Sequence, residues 1–149
     1  MLDEKPGRVT VTVNVENVAG VPVDLIKRGI RAALQYECVG QADVSVTFLD
    51  DLRIREMNAS YLERDCTTDV IAFSLGESDQ VIGDVYIGHE HARRQAEELS
   101  ETLEGELVRL AIHGALHVLG HDHTDGPERV ESKMFEVQER LVVEVMTDD

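Results

Sequence analysis

Valine alternates with polar residues through 8–17, RVTVTVNVEN, and this β-branched run predicts a strand with one buried face. The pattern changes at 21–38, VPVDLIKRGIRAALQYEC. Leu25, Ile26, Gly29, Ile30, Ala33 and Leu34 recur at helical spacing behind Pro22 and Asp24, so the segment predicts an amphipathic helix. Alternation returns in 42–50, ADVSVTFLD, and the strand, helix, strand order predicts a right-handed crossover between parallel neighbours. A short helix is expected over 50–63. Residues 67–77, TTDVIAFSLGE, and 81–90, VIGDVYIGHE, predict two more strands with a short polar connection, a candidate hairpin. The rest reads as helix. Segment 90–100 is the first; 102–120 follows with Leu103, Leu107, Leu110, Ala111 and Gly114 on one face and Gly120 placed to end it; 128–146 carries a stripe of Val130, Met134, Val137, Leu141 and Val145.

These elements predict one α+β domain over 1–149, a small sheet of about four strands with helices packed on it. A domain of 149 residues buries roughly 68–70% of its unfolded surface, which is enough for a single core. The start, MLDEKPGRVT, has neither a basic nor an apolar leader region, and Cys38 and Cys66 lack metal-type spacing. A cytoplasmic chain with reduced thiols is expected. Apolar runs are far short of the roughly 20 residues that cross a bilayer, so no membrane role is expected.

The formal net charge is −16, with acidic residues crowded into the last third. Phosphate affinity comes largely from Lys and Arg, so this balance excludes a protein that coats nucleic acid indiscriminately. A nucleic-acid role would need a local basic cleft, for which Arg53, Arg55 and Arg64, then Arg93 and Arg94, are the candidates.

The chemistry concentrates in 113–123, HGALHVLGHDH. Four residues advance a helix by about 6 Å and little more than one turn, so His113 and His117 project from one line and can share an ion. A left-handed Gly120 would turn the chain back and bring His123 to the same ion. Three imidazoles leave one position of a tetrahedral zinc open, as in a catalytic site, where a bound water reaches a pKa of roughly 7. Imidazole suits zinc and several first-row neighbours. The spacing HxxxHxxGxxH is also that of one class of zinc peptidases, but position 114, where their catalytic Glu stands, is Gly.

Other polar residues stand near this cluster in sequence. Arg109 and Glu106 lie one and about two turns before His113, placed either to orient an imidazole or to meet an anionic substrate; a plain salt bridge serves Glu106 equally well. Asp69 and Asp84 interrupt apolar strand runs, where an Asp is costly unless paired, and both are read as site residues with structural anchoring as the alternative. His121 is expected to point away from the ion, Asp122 to cap the turn or receive an imidazole N–H, and the HEH at 89–91 to form a solvated first turn.

Taken together, HGALHVLGHDH, the segment MNASYLERDCTTDVIAFSL at 57–75, IGDVYIG at 82–88, Glu106-Leu107 and Met134 resemble the YbeY family of bacterial metal-dependent endoribonucleases. The resemblance spans about 46–134. It implies a mixed sheet with flanking helices, a zinc-type ion on His113, His117 and His123, and hydrolysis of single-stranded RNA. It also implies 16S rRNA 3′-end maturation and ribosome quality control, with a single-stranded rRNA precursor and the small ribosomal subunit or its proteins as partners and no DNA. In this family an Arg often follows the aromatic residue and is thought to contact RNA. Here that position is Leu62; Arg64 lies two residues on, and Arg55 or Arg109 could also compensate. The catalytic candidates are therefore Arg64, Arg109 and Asp69 beside the three histidines. A zinc peptidase and a non-catalytic, metal-stabilised ribosome-associated module are the alternative functions.

Overall fold

A computed structural model describes residues 8–61, 70–75, 81–120 and 127–147. Strand β1 (Val9–Val15) leads into helix α1 (Val23–Tyr36), strand β2 (Ala42–Leu49) and helix α2 (Asp51–Tyr61). Strands β3 (Val70–Ser74) and β4 (Val81–Gly88) follow, then helices α3 (His89–Glu98), α4 (Leu103–Val118) and α5 (Pro127–Thr147). The sheet order is β1-β2-β4-β3. β1, β2 and β4 run parallel, and β3 pairs antiparallel with β4. The expected α+β domain is thus a four-stranded mixed sheet with five helices among the described residues, and the expected hairpin is the β3–β4 pair.

Alternation sorts the strands onto two faces. Val44, Val46 and Phe48 of β2 lie in register with Gly83, Val85 and Ile87 of β4, and they share the main core with α1, α4 and α5. The intervening residues face the other way, where Leu49 and Ile71 meet Ile54 and Met57 of α2, flanked by Phe73 and Tyr86. β2 is buried on both faces over 46–49, while toward its start Asp43 is exposed and Ser45 half-buried.

α4 departs most from its pattern. The sequence predicts one apolar face, yet Leu107, Val108, Leu110, Ala111, Ile112, Ala115, Leu116 and Val118 are all buried. The reason is position: α4 touches α1, α3, α5, β3 and β4 and is the centre of the domain rather than a surface layer. Thr102 caps its start by accepting a hydrogen bond from the Gly105 amide at 3.0 Å. Its end is as expected, because Gly120 takes φ 102° and donates its amide to the His117 carbonyl at 3.0 Å.

Two glycines let this helix lie close against the sheet. A Cβ on Gly114 would overlap the Val85 methyls and crowd Val70, and one on Gly83 would collide with Val118. The helix therefore meets β4 and β3 backbone-close, with His113 and His117 on its flank.

Candidate metal centre on helix α4

The sequence places His113 and His117 one turn apart, and α4 brings their rings together. Their Nε2 atoms are 3.1 Å apart, with ring centroids 4.6 Å apart and planes crossing at 76°. A tetrahedral zinc at about 2.0–2.1 Å from each nitrogen would hold the pair about 3.3 Å apart, so the two donors fit such an ion. Both rings are half-buried. His123, the expected third ligand, lies outside the described residues, as do His121, Asp122, Arg64, Asp69 and Leu62. Among the described residues no group of three or more His, Cys, Asp or Glu gathers at one point.

Gly114 settles the question raised by the peptidase-like spacing. Its α-carbon points into the sheet, at the Val85 methyls, while its two histidine neighbours stand off the flank. A glutamate there would have to displace Val85 and Val70 before reaching anything. The site is built without a base at that position.

What stands behind His113 was not legible as site chemistry. Gln138 of α5 is 6% exposed, and its Oε1 lies 2.7 Å from His113 Nδ1. The Gln138 amide nitrogen donates to Glu139 Oε2 at 2.9 Å. Glu139 in turn accepts two bonds from Arg109, from Nε at 2.8 Å and Nη2 at 3.1 Å, and Arg109 Nη1 donates to Glu106 Oε1 at 2.7 Å. A continuous polar chain thus runs from Glu106 through Arg109, Glu139 and Gln138 to His113.

The electrostatics follow these contacts. The hydrogen bond to Glu139 raises the Arg109 guanidinium above its usual value, against the opposing effect of burial. Burial pushes the Glu139 carboxyl upward, but the bonds from Arg109 and Gln138 together with the Arg109 charge hold it below its usual value. Of the two roles open to Arg109, the geometry favours orienting over substrate contact, since its guanidinium is engaged on both sides and its side chain is 20% exposed. Glu106, 1% exposed, makes the salt bridge that was its alternative.

Asp84 accepts from the Ser45 hydroxyl at 2.8 Å on the sheet face opposite Gly83 and Val85, tying β4 to β2 in the structural anchoring that was its alternative. One expectation needs correcting. His89 is not part of a solvated turn. It is buried on the α3 stripe with Ala92 and Ala96, and Glu90 pairs with Arg93 instead. Of the other arginines named for a basic cleft, Arg53 pairs with Glu56, Arg94 with Asp51, and Arg93 with Glu90 and Glu97.

Fold and site together define an α+β protein whose buried central helix presents two convergent imidazoles backed by a polar chain from the next helix. The family model described as Endoribonuclease YbeY matches residues 12–146. The Endoribonuclease YbeY of Aquifex aeolicus is 40% identical over 123 residues, covering 80% of this chain and 81% of that protein. That of Oceanobacillus iheyensis is 39% identical over 135 residues, covering 82% and 86%. The solution structure of TM1509 from Thermotoga maritima superposes with a TM-score of 0.64 at 27% identity, covering 93% of this chain and 89% of that one. The chain belongs to the YbeY family of endoribonucleases.

Proposed function

We propose that the chain is a metal-dependent endoribonuclease that cuts single-stranded RNA in 16S rRNA 3′-end maturation and ribosome quality control, working in the cytoplasm with the small ribosomal subunit. The observation that carries the metal centre is the 3.1 Å approach of His113 and His117 through their Nε2 atoms, in a chain of an endoribonuclease family. Two imidazoles meeting through the same nitrogen suit a shared cation, and His123 is the third donor of this reading. When bound, a zinc-type ion supplies Lewis-acid polarisation of a phosphoryl oxygen and acidifies a water.

The chain's own residues do the rest. His113 and His117 hold the ion from a helix fixed against the sheet, and Gln138 orients His113. Arg109 is engaged by two glutamates, so contact with the scissile phosphate and relief of its developing charge are assigned to Arg64, two residues from the family position at Leu62, with Arg55 as the alternative. Asp69, directly before β3, is the remaining polar residue assigned to the site. With a net charge of −16, RNA is held through a focused cleft, and binding weakens steeply with salt.

The test is cleavage of a single-stranded rRNA precursor by the purified, metal-loaded protein beside a His117→Ala control. Cutting by the wild type alone is expected. Equal cutting by the control, or none by the wild type with zinc, manganese or magnesium, overturns the reading. Cleavage of casein by the wild type would revive a peptidase, against the packing of Gly114.

A further inference from the structure

Hydrogen positions in the polar chain behind His113 can be assigned from its far end. Glu139 is paired at two points with Arg109, so it is a carboxylate and only accepts. The Gln138 atom 2.9 Å from Glu139 is therefore the amide nitrogen, and the atom 2.7 Å from His113 is the carbonyl oxygen. A carbonyl only accepts, so Nδ1 of His113 carries a proton, and in the neutral ring Nε2 keeps its lone pair. That lone pair points at His117 Nε2, where the ion of the proposed function would sit.

Resting on that reading, we propose that Gln138 is a positioning residue of the metal centre: it holds His113 in the Nδ1–H tautomer, and the Glu106–Arg109–Glu139 chain keeps its amide from flipping. Free imidazole favours the other tautomer, whose Nε2 proton would block the ligand atom. Gln138 is 6% exposed, so bulk water cannot readily substitute for either of its partners. The side chain at 138 accepts from an imidazole and donates to a carboxylate at once, and a Lys or an apolar residue there offers the imidazole no acceptor. Gln also differs from the carboxylate that often backs a zinc-bound histidine, because it fixes the ring without adding negative charge to it.

The tautomer is read without metal, by nitrogen-15 NMR of the imidazoles in the full-length chain. Wild type is expected to show His113 as Nδ1–H, and Gln138→Met to shift it toward Nε2–H. Gln138→Glu keeps an acceptor at His113 and rescues the tautomer, whether or not its other oxygen is protonated toward Glu139. Glu139→Gln leaves Gln138 in place but frees its amide to turn, giving a mixture of tautomers; this variant serves if Gln138→Met does not fold. Zinc titration by calorimetry should show an affinity roughly 10–100-fold weaker for Gln138→Met, recovered by Gln138→Glu. An unchanged tautomer in both Gln138→Met and Glu139→Gln, or unchanged zinc affinity in Gln138→Met, overturns the role of Gln138 while leaving the metal centre standing. Failure of the wild type to bind zinc, manganese or magnesium overturns the metal centre itself, and with it any positioning role.

Discussion

Arg93 and Arg109 each stand three residues after a glutamate and each sit between two glutamates. On α3, Arg93 reaches Glu90 at 2.8 Å and Glu97 at 3.1 Å, with all three side chains well exposed. On α4, Arg109 reaches Glu106 at 2.7 Å and Glu139 at 2.8 Å, but Glu106 is 1% exposed and Glu139 belongs to a different helix. Both guanidiniums are raised above their usual value by their glutamates, so charge does not separate them. Burial and tertiary reach do. The first cluster decorates one helix in water, where such pairs contribute little. The second ties α4 to α5 and ends on an imidazole.

The contrast is broken most directly by Arg109→Ala. It strands a buried Glu106 carboxylate and loosens Glu139, and should cost about 3 kcal/mol in urea unfolding. Zinc affinity should fall as well. Replacing Glu106 and Arg109 together by Met should recover most of the stability but not the zinc affinity, since a buried ion pair exchanges well for apolar packing. Glu139→Gln keeps the shape and loses the charge; about 1.5–3 kcal/mol is expected, the scale of hydrogen bonds to a charged group.

A pH series sharpens the same point. The folded Glu139 carboxyl lies below its usual value, so its contribution is fully present above the ordinary carboxylate range and is lost as pH falls through the folded value. Wild type and Glu139→Gln should therefore differ most at neutral pH and converge as pH falls below the ordinary carboxylate range and through the folded Glu139 value. The smallest effect belongs to Arg93→Ala, which should leave the unfolding midpoint unchanged at physiological salt.

The same contrast explains what the sequence could carry. The i,i+3 and i,i+4 relations are local, so Glu106 with Arg109 and His113 with His117 are legible from spacing alone. The link to α5 is tertiary and is not. Even so, Gln138 left a trace: it falls four residues after Met134 and three before Leu141, on the apolar stripe itself, where a polar side chain must find a partner. Asp84 left a similar trace. Being costly in a strand signals a partner, and Ser45 across the sheet is one. The all-round burial of α4 was hidden because Glu106, Arg109 and the histidines make its far side look solvent-facing.

Gly114 carries a consequence for how such sites can change. In its lettering, 113–123 is one substitution from the spelling of a zinc peptidase. In space the distance is far larger, because that letter lies under the helix against Val85 and Val70, and Val118 one turn on already fills the room over Gly83. Exchanging one trade for the other would require lifting α4 off β3 and β4 and repacking the centre of the domain, a barrier that no motif comparison registers.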